Sequence, residues 1–242
     1  MKALLLAAGL GTRLRPLTKN IPKCLVDIDG TPLLEYWIKM LYDSGVFPLL
    51  VNLHHHANKV SRLIDNNPYK KYISTVLEES LLGTGGTLLI NKKFFGNKPF
   101  MLVHADNLSI FDVHKFIESF RNRPKDCVIT MMTFKTNTPN SCGIVETDAR
   151  GCVQTFHEKV PNPPGNTANG AVYIVAPSIF EFLESLNKEF IDFSTEVLPH
   201  FIGRINTFHN DVYHRDIGTP ESYEAACQEF PAIKKILERN SV

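Results

Sequence analysis

Continuous apolar runs and helix-period apolar positions alternate through the first half of the chain. Ala3–Ala8 is a run without charge that closes on Gly9, the pattern of a strand buried on both faces. In Leu33–Tyr42 the apolar positions Leu33, Leu34, Trp37, Ile38 and Leu41 repeat with the period of an amphipathic helix, and Pro32 sits where a first helical turn tolerates it. Leu49–Leu53, Ile73–Leu77 and Phe100–His104 read as further strands. Ala57–Ile64, Thr84–Ile90 and Phe111–Phe120 read as helices between and after them. This order predicts an α/β fold, a Rossmann-like, mostly parallel mixed sheet with helices on both faces.

After about residue 125 the texture changes. Val128–Phe134, Gly143–Thr147, Val153–His157 and Gly170–Val175 are short strand-like runs separated by turn residues, the pattern of a small antiparallel lobe. Ser178–Leu186 reads as a helix, and Thr195–Phe201 as another capped by Ser194. Arg204–Phe208 and Val212–Arg215 read as strands, and Pro220–Glu229 and Ala232–Glu238 as two closing helices. With no linker or repeat in view, the expectation is one domain over residues 1–242, with lobes at 1–110 and 111–242.

Composition narrows the class. At 43% hydrophobic and 21% charged residues, the 242-residue chain is globular and long enough to bury a core without staples. A net charge of +1 gives no general field to attract nucleic acid or a membrane, so neither partner is expected. The five cysteines, at 24, 127, 142, 152 and 227, contain no CxxC pair and read as reduced thiols. The opening apolar run is too short for a signal segment, and nothing approaches a membrane span. A cytoplasmic protein is expected.

Gly9-Leu-Gly11-Thr12-Arg13-Leu14 follows the first strand directly. Glycines at a strand end let the backbone approach a ligand, and bare amides can hold phosphate oxygens. The segment is not a Walker A loop, and Leu14 stands where a dinucleotide fingerprint needs its third glycine, which disfavours an NAD enzyme. Arg13, Arg15, Lys19 and Lys23 then place four cations in a stretch with little helical or strand character. Cation density beside a glycine loop favours a polyphosphate site over a solvated connector.

Gly9-x-Gly-Thr-Arg-Leu-x-Pro-Leu-Thr followed by Pro22-Lys23 resembles the signature of the sugar-1-phosphate nucleotidyltransferases, and of guanylyltransferases among them. Further segments resemble that family in the right order: Leu82-Gly-Thr-Gly-Gly-Thr87, Asp106 at a strand end, Gly143-Ile-Val-Glu146, Glu158-Lys159, Asn169-Gly170, and Asp216 in Asp-Ile-Gly-Thr-Pro. Ala105 and Cys24 depart from the pattern, but neither removes a charge. The resemblance implies an NTP and a sugar 1-phosphate as substrates and Mg²⁺ as cofactor. It implies Arg13 and Lys23 as catalytic cations and Asp106 and Asp216 as metal ligands, although these carboxylates lie 110 residues apart. Ala7, Ala8, Gly9, Gly11, Thr12, Gly83 and Thr84 would contact the nucleotide, and Glu78 would read a guanine edge. Gly143, Glu158, Lys159 and Asn169 would hold the sugar phosphate, although Glu-Lys taken alone is an ordinary solvated pair.

In the family reaction a phosphate oxygen attacks the α-phosphorus. A phosphate monoester with a second pKa near 6 is already largely a dianion, so cations and positioning are needed and a general base is not. GTP with a mannose- or heptose-type 1-phosphate is the first expectation. CTP, dTTP, UTP and non-sugar phosphates stay open, as does a homo-oligomer. A catalytically silent, nucleotide-sugar-sensing subunit tends to lose the loop cations or metal carboxylates, and Arg13, Lys23, Asp106 and Asp216 are all present. The chain ends at Val242, so no appended β-helix or acyltransferase domain is expected. His54-His55-His56 reads as a strand end, because consecutive side chains diverge.

Overall fold

A computed structural model describes residues 1–240. Along the chain run β1 (Lys2–Leu6), β2 (Asp27–Ile28), β3 (Thr31–Pro32), α1 (Leu33–Asp43), β4 (Leu49–Leu53), α2 (Ala57–Asn66), β5 (Ile73–Leu77), α3 (Gly83–Ile90), α4 (Lys92–Phe95), β6 (Phe100–His104), β7 (Asn107–Ile110) and α5 (Val113–Arg121). There follow β8 (Ile129–Lys135), β9 (Gly143–Thr147), β10 (Val153–Glu158), β11 (Thr167–Val175), α6 (Ile179–Ser185), β12 (Ile205–His209), β13 (Tyr213–Asp216) and α7 (Pro220–Asn240). The main sheet has the order β10-β9-β11-β6-β1-β4-β5, with β8 joined to β11 and β12. It is a mixed, mostly parallel sheet with helices and smaller antiparallel sheets, the α/β class expected.

The chain divides into two compact units, and the division is not a single cut near residue 110. One unit comprises Met1–Leu4, Ser80–Val103 and Asp112–Asp211. The other comprises Leu5–Glu79, His104–Phe111 and the chain from Val212 onward.

In the unit that begins at Leu5, the parallel pair β4·β5 runs in register from Leu49↔Ile73 to Leu53↔Leu77. All five residues of β4 are buried, including the polar Asn52. Helix α1 buries the predicted stripe of Leu33, Leu34, Trp37, Ile38 and Leu41. A strand absent from the sequence reading, β7, pairs antiparallel with β13 and sets Asp216 opposite Asn107. The two predicted closing helices are one, α7, with Pro231 inside it. Phe230, buried beside Tyr36 with ring centroids 4.9 Å apart, fixes the helix at the position where proline removes a backbone hydrogen bond.

In the other unit, β8·β11 and β9·β10 are antiparallel as expected, and β12 runs parallel to β8. The predicted helix at Thr195–Phe201 is instead a π-helical turn at Phe193–Val197 followed by a 3₁₀ turn at Leu198–Phe201. Asp192, not Ser194, caps it, accepting from the Thr195 amide at 2.8 Å. Phe95 and Phe100 are buried and pack with centroids 4.3 Å apart. Among the described residues no helix is long and apolar enough to cross a membrane.

Candidate active site

The loop after β1 is held from below. Leu14 is fully buried in a cluster with Val26, Ile28, Leu33, Leu108, Ile217, Ala226 and Phe230, which anchors the glycine segment by about 2 kcal/mol of apolar burial. The residue that spoils a dinucleotide fingerprint is therefore a hydrophobic peg. Gly11 has φ +61°, and an added Cβ there would lie 3.1 Å from both Lys23 Cβ and Thr18 Cγ2. The buried Thr18 hydroxyl donates to the Gly11 carbonyl at 2.6 Å, locking the turn. Ala7 and Ala8 are buried, and Thr12 is exposed.

Lys23 is only 6% exposed. Its Nζ donates to Asp106 Oδ2 at 2.9 Å and to Asp216 Oδ1 at 3.2 Å. Asp106 follows β6 and Asp216 ends β13, so the β7·β13 ladder closes the 110-residue gap between them. Burial opposes the charge on Lys23, but Asp106 and Asp216 outweigh it and raise its pKa. Burial likewise works against the Asp106 carboxylate, but Lys23 and then His104 outweigh it and lower its pKa. A Cβ on Gly218 would stand 2.9 Å from Asp216 Oδ2 and 3.3 Å from Arg13 Nη2, so the guanidinium lies beside that carboxylate and glycine leaves it room. A Cβ on Gly9 would meet Asp106 Oδ2 at 3.9 Å, an ordinary contact. Arg13, Lys23, Asp106, Asp216, Gly9 and Gly11 are thus gathered in one unit. Two hard oxygen donors converge there on a point already held by positive charge. This donor set fits a divalent cation such as Mg²⁺, which takes one or two carboxylates together with phosphate oxygens.

Sequence reasoning missed Asn52. Its Oδ1 accepts from the Ala7 amide at 2.7 Å and its Nδ2 donates to Glu78 Oε1 at 3.0 Å. Glu78 is 4% exposed, and its main-chain oxygen meets His54 Nδ1 at 2.8 Å. Asn52 therefore ties the loop after β1 to the carboxylate expected at the base. A polar residue in the otherwise apolar run Leu-Leu-Val-Asn-Leu was the available signal. The departures at Ala105 and Cys24 are absorbed: Ala105 donates its amide to Leu6 at 3.1 Å, and the Cys24 thiol, pushed up to about 12 mainly by burial, contacts the Ala7 carbonyl at 3.7 Å. No cluster of three or more His, Cys, Asp or Glu suited to a metal occurs among the described residues, His54–His56 included.

The remaining candidates belong to the other unit. Gly143 stands opposite Glu158 in the β9·β10 ladder, and a Cβ there would meet Glu158 Oε2 at 2.6 Å. Lys159, at φ +51°, pairs with Glu158 at 3.1 Å. Asn169 donates to the hydroxyl of Tyr173 at 2.7 Å and accepts from the Ala171 amide at 2.9 Å. The backbone irregularity between Asn169 and Tyr173 turns this part of β11 aside. Tyr173, also missed, is fully buried, and burial pushes its hydroxyl pKa far up. At the α3 turn, Thr84 Oγ1 accepts from the Phe193 amide at 2.9 Å. Gly85 and Gly86 amides donate to the Ile191 carbonyl at 2.9 and 3.3 Å. Added Cβ atoms would fall 2.4 Å from Ile191 O at Gly83 and 2.2 Å from Glu189 O at Gly86. These glycines are explained by close packing against residues 189–191.

A strand-end glycine loop, a buried lysine and two converging carboxylates thus meet at the end of a strand of an α/β sheet. The nucleotidyl transferase family profile matches residues 2–232, and the chain belongs to that family. Among its relatives, the mannose-1-phosphate guanylyltransferase catalytic subunit beta of Drosophila pseudoobscura pseudoobscura is 28% identical over 92% of this chain and 60% of that protein. The mannose-1-phosphate guanyltransferase of Aspergillus fumigatus is 26% identical over 100% of this chain and 66% of that protein. This chain thus spans less than two thirds of the length of both. The crystal structure of HddC from Yersinia pseudotuberculosis complexed with GMP-PN is 29% identical, with a TM-score of 0.78, and the match covers 95% of this chain and 99% of that one.

Proposed function

We propose that the protein is a sugar-1-phosphate guanylyltransferase, joining GTP to a mannose- or heptose-type 1-phosphate with release of pyrophosphate. The observation that carries this reading is Lys23 Nζ bonded at 2.9 and 3.2 Å to two carboxylates beside the glycine loop. The guanyl choice is supported by relatives named as mannose-1-phosphate guanylyltransferases and by the GMP-PN complex of HddC.

The loop amides around Gly9, Gly11 and Thr12 take the triphosphate, and Arg13 holds the departing pyrophosphate. Lys23 lies along the α-phosphate and draws the incoming phosphate toward it. The sugar phosphate oxygen bonds to the α-phosphorus as the α–β bridging bond breaks, and its electron pair leaves with pyrophosphate. The barrier is the approach of two polyanions, and fixed positive charge lowers it without reorganisation. Asp106 and Asp216 would hold Mg²⁺, which when bound neutralises phosphate charge. With Asp106 and Asp216 given over to the metal, Lys23 would turn to phosphate oxygens as partners. Ala7, Ala8 and Glu78, with Gly83 and Thr84, are assigned to the nucleotide. Gly143, Glu158, Lys159 and Asn169 are assigned to the sugar phosphate. A cytoplasmic setting goes with such substrates.

The experiment is a matrix of GTP, CTP, dTTP and UTP against mannose, heptose and glucose 1-phosphates and phosphocholine, with Mg²⁺, read as pyrophosphate release. GTP with a mannose- or heptose-type acceptor should give the highest kcat/KM. Turnover with another base shifts the assignment within the family, and no release in any cell of the matrix removes the enzyme reading.

A further inference from the structure

The five cysteines are free thiols, and their surroundings differ. Cys24 meets the Ala7 carbonyl at 3.7 Å, and Cys142 meets the hydroxyls of Ser141 and Thr136 at 3.7 and 3.8 Å. The sulfurs of Cys127 and Cys152 meet each other, 3.4 Å apart in space and 25 residues apart in sequence. Cys127 stands in the turn between α5 and β8. Its amide donates to Pro124 O at 2.9 Å, and its carbonyl accepts from Arg123 Nε at 2.8 Å. Cys152 closes the turn between β9 and β10. Its amide donates to Asp148 Oδ1 at 2.9 Å, its carbonyl accepts from the Asp148 amide at 2.9 Å, and it bridges to Asn206 of β12. Bonds that do not involve sulfur thus hold both backbones, and the fold alone brings the thiols together. The step from this contact to a bond is a short side-chain movement.

Both side chains are buried, at 1% and 0% exposure. Asp126 and Arg150, 3.4 Å apart and each about half exposed, adjoin the pair at the surface. An exposed ion pair holds weakly, and a hairpin turn with Ala149 and Arg150 exposed opens at low cost. Burial pushes the Cys127 thiol up to about 12, which protects it from ordinary thiol exchange with large disulfides. A small, uncharged oxidant is the reagent that suits such a site.

We propose that Cys127 and Cys152 are a redox pair, closed by hydrogen peroxide to an intramolecular disulfide that latches the β9–β10 turn to the turn before β8. One sulfur attacks a peroxide oxygen as the O–O bond breaks, and the departing hydroxide leaves as water with the thiol proton. A sulfenic acid remains. The second sulfur attacks the first, the S–O bond breaks, and a second water departs. Two thiols and one peroxide thus give one disulfide and two waters. The closed loop, residues 127–152, contains β8 and β9, and closing it takes freedom from the unfolded chain. The pair lies outside the residues assigned to nucleotide, sugar phosphate and metal, so the latch stands whether or not that activity does.

The test treats the folded, reduced wild type with hydrogen peroxide at low protein concentration. Remaining thiols are alkylated in denaturant, and linked peptides are mapped by mass spectrometry without reduction. The expected result is a peptide joining Cys127 to Cys152, two hydrogens lighter than its separate parts. The oxidised protein should melt about 5 °C or more above the reduced one, and dithiothreitol should abolish the gain. Cys127→Ala and Cys152→Ala should show neither the link nor the gain. The peptide map of the wild type stays decisive if a variant fails to fold. Absence of the 127–152 link, whatever the fate of Cys142 and Cys227, overturns the proposal. A link formed without a rise in melting temperature overturns the latch.

Discussion

The turn at residues 9–11 and the turn at residues 83–86 are both rich in glycine, yet the residue type serves different ends in them. At Gly83 and Gly86 an added Cβ would strike backbone oxygens at 2.4 and 2.2 Å. At Gly9 the nearest atom would be a carboxylate oxygen at 3.9 Å. In the first turn Gly9 keeps open space beside a charged group, although Gly11 packs against Lys23 and Thr18, while the second turn gives its space to the chain at 189–191. Resemblance marked both as nucleotide contacts. The local packing separates a turn in which Gly9 faces open space from one whose glycines the fold itself requires.

Four substitutions sharpen this contrast. Lys23→Ala should have the largest effect. Turnover should fall by at least about 10²-fold, about 3 kcal/mol in the barrier, while the GTP dissociation constant moves far less. Comparable losses in both would make Lys23 a binding group and not a catalytic one. Gly86→Ala should come next and act on the fold, lowering stability by about 2 to 3 kcal/mol in denaturant melts through the clash with Glu189 O. Unchanged stability there would show that the close approach of Glu189 O does not require glycine. Asn52→Leu should cost about 1 to 3 kcal/mol of stability, because the Ala7 amide loses an acceptor and Glu78 loses a donor. It should also raise KM for GTP, and Asn52→Gln should not fully rescue it. Gly9→Ala should be smallest in the melt, within about 0.5 kcal/mol, because its Cβ meets nothing closer than 3.9 Å. Its effect should appear in KM for the nucleotide.

The same contrast explains what the sequence made legible. Apolar runs flanked by turn residues marked β4, β5, β6 and β9 to the residue; burial on both faces leaves an unbroken signal in β4 and β6, whereas the largely exposed β5 was marked by its β-branched residues. Asn107–Ile110 escaped because its polar members, Asn107 and Ser109, are buried, and the strand exists through pairing with residues 213–216, far along the chain. Pro231 suggested a helix break that the buried Phe230 beside it overrides. The chain's return to the Leu5 unit after Val212 has no local signature either. Lys23, Asp106 and Asp216 could each be singled out by motif, but their convergence depends on the β7·β13 ladder, which no local pattern reveals. Asn52 needed its two partners in view before its polarity in an apolar strand had meaning.

On the proposed mechanism Asp106 and Asp216 would grip one cation, and Lys23, bonded to both at 2.9 and 3.2 Å, holds that place without it. The most direct measurement is an electron paramagnetic resonance titration of Mn²⁺, standing in for Mg²⁺, into GTP-saturated wild type, Asp106→Asn and Asp216→Asn, with GTP alone as baseline. One Mn²⁺ per chain in the wild type, held about tenfold or more weakly in each variant, is the expected result. Equal Mn²⁺ affinity in all three proteins would contradict it.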